Sequence, residues 1–368
     1  MTVIVVGAGV VGCAIAHALA ARGARVRVLD TRGVGQGATR ASAGMLAPYI
    51  EGHDPVLLEL TLRSLALYDG FIADVERDAD RRLEYRRCGT LQVALTSGEL
   101  DALEQSAAAL RRDDVAHELV DDIDARRLEP GLCAGVRGAL QVPAHGYVRA
   151  AALTDALAAA AARHGVAIEQ VSVTGVSATT GGVRVSAGDT TFDADAVVVA
   201  AGSWASSLLL PALSLPALSP AIKPIRGQLL QLRLPQPPAT RVLWGPRCYI
   251  VPWQDGVTLV GATVEDVGFD ESVTAAGVHR LLEAGIELLP ALGAALVEDA
   301  RAGLRPMAPD GLPAIGASST MPGVYYALGH YRNGVLLAPL TASLIADLVL
   351  DGRERPESGL VRPARFGL

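Results

Sequence analysis

Three glycines and one acid near the start of this chain are spaced for holding a phosphate ester. Gly7, Gly9 and Gly12 stand at G-x-G-x-x-G spacing, and Asp30 follows at the end of a second apolar run. In that pattern the first glycine permits a tight strand-to-helix turn. The second lets backbone approach a pyrophosphate, and the third lets the helix lie close on the strand. An acid at the end of the next strand can accept the two hydroxyl hydrogens of an adenosine ribose.

The elements that must place these residues are legible around them. Thr2 to Val6 is apolar, β-branched and without a polar face, as a parallel strand buried on both sides requires. Val11, Ile15, Ala18 and Leu19 then repeat at helical spacing, with Gly23 as the stop. The free N–H groups of that helix point at the turn, where an anion is favoured. Val26 to Leu29 reads as the second strand, so Met1 to Asp30 forms one βαβ unit. The loop from Gly33 to Ala47 is rich in small residues that can bring backbone N–H groups to a ligand, although a plain connection has the same composition.

A length of 368 residues allows two domains and a large core. The net charge of -7 offers no basic surface, which disfavours a nucleic-acid partner. Cys13, Cys88, Cys133 and Cys248 are scattered without a C-x-x-C pair, so neither a metal site nor a disulfide framework is expected. Met1 leads into the first strand without a basic leader, and a cytoplasmic location is expected. Pro211, Pro216 and Pro220 interrupt the uncharged stretch Ser203 to Ile222, so no transmembrane segment is expected there. That stretch reads as a broken connection able to make a shallow contact with a membrane surface or a neighbouring subunit; separately, a homo-oligomer is expected.

Further along, Asp54 and Pro55 mark the start of a helix to about Arg77, with Leu60, Leu67, Phe71 and Val75 as its core face. Leu91 to Leu95 reads as a strand, and Thr96 with Glu99 is a capping-box signature for a helix to about Arg112. A short helix follows near Ile123 to Leu128, then an alanine-rich one from Arg149 to His164. His145 and His164, in a turn and a last helical turn, read as structural. Val166 to Val173, Gly182 to Val185 and Asp195 to Ala201 read as strands, the last a buried parallel one that ends at Gly202. Gly227 to Leu234, Tyr249 to Pro252 and Val257 to Gly261 predict an antiparallel or mixed sheet, followed by a helix from Thr274 to Leu289. The chain closes with a strand at Val324 to Ala327, the loop Gly329 to Gly334 and an apolar helix to Leu350 containing Pro339. No internal repeat is present.

Taken together, the fingerprint with Asp30, TRASAGMLAP, DAVVVAAGSWA, KPIRGQ, CYIVP, GLRP and GHYRNGVLLAP resemble the D-amino-acid-oxidase superfamily of FAD enzymes. Within it the chain looks most like the glycine oxidases of thiazole biosynthesis. The resemblance implies an α/β fold: a Rossmann-like FAD domain of the glutathione-reductase type, with a mixed or antiparallel-sheet substrate domain. The division it implies is 1–83, 146–222 and 303–368 for FAD, and 84–145 and 223–302 for substrate.

By the same resemblance, non-covalent FAD would lie on Val10 and Val11, with Asp30 and Thr31 near its ribose. Ala38, Thr39, Ala43, Gly44 and Met45 would line it towards the flavin, Val173 would meet the adenine, and Gly202 would border the site. His330, Tyr331, Arg332, Asn333, Gly334, Val335 and Leu336 would cover the flavin edge, where a helix N-terminus stabilises negative charge. Tyr249, Arg305 and Arg332 look like the anchors of an amino-acid carboxylate, which in a dry pocket must be paired.

The activity implied is oxidation of glycine, and of sarcosine or small D-amino acids, by hydride transfer to flavin N5. Water then releases the 2-oxo acid and ammonia or amine, and oxygen becomes hydrogen peroxide. A role in thiazole and thiamine supply goes with it. Two positions depart from the family pattern: Val264 stands where methionine is usual and Arg247 where histidine is usual. Both are expected at the pocket, where a smaller side chain would admit an extra methyl. The alternatives are a dehydrogenase of the same fold that passes electrons to a quinone or another acceptor, a glycine-oxidising subunit of a cyanide-forming complex, a protein that keeps FAD for structure alone and, least favoured, a nicotinamide-linked dehydrogenase.

Overall fold

The computed structural model describes residues 1–51, 54–206 and 222–368. Most of the proline-broken stretch, 207–221, lies outside the described residues. Two sheets dominate, one for each of the hydrophobic patterns in the sequence.

The first sheet has six strands, in the order Ala314–Ala317, Val324–Leu328, Ala196–Val199, Thr2–Val6, Arg25–Asp30, Ala167–Gln170. All neighbours are parallel except the Ala314–Ala317 edge. Alternation divides the first strand between two cores. Val3 and Val5 face the helices Val10–Ala21, Pro55–Ala79, Ala150–Arg163 and Gly334–Asp351. Ile4 and Val6 face the opposite side, with Val183 and Val185 of a three-stranded antiparallel sheet, Gly175–Thr179, Gly182–Ala187 and Thr190–Ala194. Two of those three strands were not legible beforehand, because their half-polar residues lack a strong alternation.

The helices begin and end for local reasons. Asp54 accepts the N–H groups of Val56 and Leu57 at 2.8 and 3.1 Å, and both halves of the Thr96/Glu99 capping box form. Pro339 lies inside the last helix and cannot donate to the carbonyl of Val335. The Tyr68 hydroxyl donates to that carbonyl instead, at 2.6 Å, and Ser64 donates to the next one, Leu336, at 2.7 Å. This apolar helix, of mean hydropathy 1.7, is long enough to cross a membrane, yet 72% of it is buried within the fold. Leu67, expected in the core, is 39% exposed, because the buried stripe of its helix runs through Leu60, Ser64, Tyr68 and Val75.

The second sheet has eight strands, in the order Leu296–Met307, Lys223–Arg233, Val257–Gly261, Tyr249–Pro252, Val242–Trp244, Thr90–Ala94, Gly138–Val142, Glu118–Asp121. It is mixed: only Val242–Trp244 runs parallel to its neighbour Thr90–Ala94. Helix Ala275–Leu288 packs on it through Leu281, Ala284 and Leu288. The long pair Lys223–Arg233 and Leu296–Met307 runs from this sheet to the first one, since Met307 bridges to His330. That pair carries the site.

Candidate active site

The strands Thr2–Val6, Arg25–Asp30 and Ala196–Val199 end together, and the first cavity wall is built where they stop. Gly7 turns the chain with φ +112°, a conformation that L side chains rarely adopt. A Cβ on Gly12 would sit 1.9 Å from the Gly7 carbonyl oxygen, so this glycine sets how closely helix and turn approach. Gly12 itself does not line the cavity; it acts from behind the wall.

Asp30 lies on the wall, and its carboxylate already accepts backbone N–H groups from Ala8 (2.8 Å), Arg32 (2.7 Å) and Gly33 (2.8 Å). It therefore locks the fingerprint turn to the following loop. Its Oδ2, which accepts only from Ala8 among these, is the oxygen with capacity for a further donor. Val10 likewise has its N–H engaged, by the Thr39 hydroxyl at 3.1 Å.

One cavity of about 830 Å³ runs from this turn to the second sheet. Gly7, Gly9, Val10, Val11, Asp30, Thr31, Ala38, Thr39, Ala43, Gly44, Met45, Val173 and Gly202 all line it. His330, Tyr331, Arg332, Gly334 and Val335 line the facing side, and Tyr249 and Arg305 the far end. Asn333 and Leu336 do not. Asn333 is buried at the start of the last helix, where its carbonyl accepts the Leu337 N–H at 2.7 Å, and Leu336 is turned into the helical core.

The far end is held by the long strand pair. Arg305 lies opposite Ile225, and its Nη1 donates to the carbonyls of Thr263 (3.0 Å) and Arg226 (3.4 Å). Gly227 makes this possible, since a Cβ there would lie 2.2 Å from Arg305 Nη2. Gly261 does the same for Tyr249, whose ring atoms would lie 2.4 Å from an added Cβ. Neither glycine stood out in the sequence: KPIRGQ contains the first, but only the cross-strand register shows what it faces. Among the described residues neither Arg305 nor Arg332 has a carboxylate within ion-pair distance. Arg305 is half-buried, and Arg332 is exposed with its guanidinium 5.1 Å from the Tyr331 ring centre.

The loop that carries Arg332 is fixed tightly. Tyr331 adopts φ +48°, unusual outside glycine, and its N–H donates to the Pro306 carbonyl at 2.8 Å. His330 is buried, its Nε2 3.0 Å from the Thr341 hydroxyl, and burial pushes its imidazole down to about 4, so it is neutral near pH 7. The loop thus brings no second cation beside Arg332. Val264 and Arg247 both border the cavity: Val264 is 55% exposed, and Arg247 is held outward by Glu283 and Glu287.

Arg32, Trp204 and Trp244 also line the cavity; Trp204 stands in the DAVVVAAGSWA motif, whereas Arg32 and Trp244 carry no signal beyond their type. The Arg32 guanidinium lies 4.0 Å from the Trp204 ring centre, and its Nη2 is a buried donor with no protein acceptor among the described residues. A glycine-lined turn at a helix start, an acid with spare acceptor capacity and an orphaned guanidinium N–H are the fittings that a dinucleotide requires, so the residues present fit FAD. His145 and His164 lie elsewhere: His145 is fully buried against Thr90 Oγ1 at 2.7 Å, and His164 meets Asp78 at 3.1 Å.

Comparison with known proteins agrees with this geometry. The sequence profile of a family described as "FAD dependent oxidoreductase" matches residues 2–348. The chain is 37% identical, over 99% of its length, to the bifunctional protein ThiO/ThiG of a Synechocystis strain, and it spans 54% of that relative. It is 34% identical to the glycine oxidase of Geobacillus kaustophilus, over 94% of this chain and 92% of that one. The crystal structure of that organism's glycine oxidase superposes with a TM-score of 0.92, covering 100% of this chain and 97% of the other. An iminodiacetate oxidase from a Chelativorans strain, 28% identical, superposes at 0.87 with 96% of each chain covered.

Proposed function

The chain belongs to the FAD-dependent oxidoreductase family, is glycine oxidase-like within it, and on that premise we propose that it oxidises glycine and close relatives such as sarcosine or D-alanine. The observation that carries this reading is Arg305 with Tyr249 at one end of a cavity whose other end fits a dinucleotide, with Arg332 on the facing wall. A surface arginine needs only solvent; a half-buried one without an acidic partner, beside a phenol, suits a carboxylate that arrives with the substrate.

FAD, when bound, supplies the two-electron acceptor. The chain's own residues do the rest. Arg305 pairs with the substrate carboxylate in a fixed plane, because Thr263 and Arg226 hold its Nη1 from behind. The Tyr249 hydroxyl donates to the same carboxylate, and Arg332 covers it from the loop side. With the carboxylate fixed at these points, the Cα–H is left facing the flavin side of the cavity. No side chain is assigned the role of base. The net reaction consumes the amino acid, oxygen and water, and releases the 2-oxo acid, ammonia or amine, and hydrogen peroxide.

Val264, exposed on the cavity wall in the place of a longer side chain, leaves room for substrates with an added methyl, a gain of at most roughly 0.8 kcal/mol for a methylene that is buried there. A role in thiazole supply is part of this proposal; the chain spans about half the length of the bifunctional ThiO/ThiG relatives that it resembles. The test is anaerobic reduction of the purified yellow protein by glycine, sarcosine, D-alanine and D-proline in turn, followed by air. Bleaching and prompt recolouring with peroxide is the expected result. Bleaching without recolouring would replace oxygen by another acceptor, and no bleaching by any of the four would overturn the amino-acid assignment.

A further inference from the structure

Three helices of the first sheet's core converge on a side-chain cluster that the reaction does not use. His17 comes from Val10–Ala21, Asp78 from the last turn of Pro55–Ala79, and His164 caps the end of Ala150–Arg163. His17 Nε2 lies 2.8 Å and His164 Nε2 3.1 Å from the same oxygen, Asp78 Oδ2. The ligand-capable atoms of all three lie within 4.8 Å of one another. None of the three borders the large cavity.

We propose that His17, Asp78 and His164 form a binding site for a divalent transition-metal ion, Zn²⁺ being the best match. Two imidazole nitrogens and one carboxylate oxygen are a donor set that zinc accepts, at about 2.0–2.2 Å, with a fourth tetrahedral position left for water. Such bonds place neighbouring donors about 3.3 Å apart: the two spacings to Asp78 Oδ2 must open by a few tenths of an ångström, and the two imidazole nitrogens, now within 4.8 Å of each other, must settle at a similar separation. The side chains of His17 and Asp78 are 8% and 14% exposed and that of His164 is 34% exposed, which leaves a solvent path on one side only.

Two independent features favour a cation at this point. Asp78 and His164 stand at the carboxyl ends of their helices, where unpaired carbonyls carry partial negative charge. Asp78 Oδ1 accepts from Arg77 Nε at 3.0 Å, which orients the carboxylate with Oδ2 toward both histidines. Each Nε2 must present its lone pair to the metal, so the ion takes the place of the hydrogen bonds that both nitrogens now make with Asp78 Oδ2.

The experiment uses untagged, FAD-loaded protein freed of metal by chelator dialysis, then titrated with ZnCl₂ under equilibrium dialysis. One equivalent should bind to the wild type. His164→Ala, at an accessible helix end, should keep its flavin spectrum and lose roughly tenfold or more in zinc affinity. Asp78→Asn provides a second reading from another helix. Equal zinc uptake by the wild type and His164→Ala, or no stoichiometric uptake by the wild type, would overturn the proposal.

Discussion

Replacing Gly227 by alanine isolates the geometry of the carboxylate anchor from its chemistry. The new Cβ would lie 2.2 Å from Arg305 Nη2 and 2.3 Å from its Cζ and Nη1. Ordinary contact begins near 3.4 Å, so the guanidinium must retreat by about 1.2 Å (3.4 − 2.2), and its 3.0 Å bond to the Thr263 carbonyl is lost. The strand itself tolerates alanine, because Gly227 is not among the glycines with positive φ. A displacement of about 1 Å at an orienting group is worth roughly 10²-fold in kcat/KM, or about 2.7 kcal/mol. The assay is anaerobic stopped-flow bleaching of the flavin across glycine concentrations, with Gly175→Ala, a strand glycine with no atom within 4 Å of an added Cβ, as control. Gly227→Ala should keep its flavin and melt as the wild type does, and should add little to the loss in Arg305→Ala, since both act on one group. A bleaching rate within threefold of wild type, or full additivity with Arg305→Ala, would refute the placement of Arg305 on the substrate.

Gly12→Ala forces a Cβ to within 1.9 Å of backbone that cannot yield; FAD affinity measured by flavin fluorescence should fall more than tenfold, or the chain should fail to fold. His145 is held neutral by burial, which lowers its imidazole from 6.5 to about 3. The unfolded chain takes up a proton below pH 6.5 that the folded one refuses, so stability falls with acidification by about 1.4 kcal/mol per pH unit from this residue; His145→Gln should flatten the drop in urea midpoint between pH 7 and 5, and an unchanged slope would contradict it. Glu129, 1% exposed, accepts from Thr240 and pairs with Arg241 Nε at 3.0 Å; Glu129→Ala leaves that arginine uncompensated inside the protein and should cost about 3–5 kcal/mol by denaturant titration.

Legibility followed the range of the interactions involved. The fingerprint, the Asp54 and Thr96/Glu99 caps and the strands Tyr249–Pro252 and Val257–Gly261 depend on neighbours a few residues away, and they formed where the residues pointed. Val242–Trp244 did not announce itself, because its strand character comes from Leu91 and Ile250 on either side rather than from its own three residues. The same holds within the site. Arg305 and Tyr249 were visible by type and motif, whereas Gly227 and Gly261, which make room for them, acquire meaning only through strand pairing. Asp30 was read as a ribose acceptor from its place after a strand; that it also fastens three backbone N–H groups depends on how the loop to Gly33 folds back.

The order of strands in the parallel sheet bears on how the chain is made. The Thr2 N–H bonds to Asp195, 193 residues away, and Arg22 pairs with Asp347 across 325 residues. The first strand leaves the ribosome long before its neighbour Ala196–Val199 exists, and that strand in turn precedes its own partner Val324–Leu328. Closing such loops adds little to the equilibrium cost, which grows only with the logarithm of length, but it delays folding. A nascent chain halted before Val324 presents the run AVVV as an unpaired apolar edge, the kind of surface on which incomplete chains aggregate. Yield in a heterologous host should therefore respond to translation speed, growth temperature and chaperone supply more than to mutations that stabilise the finished enzyme.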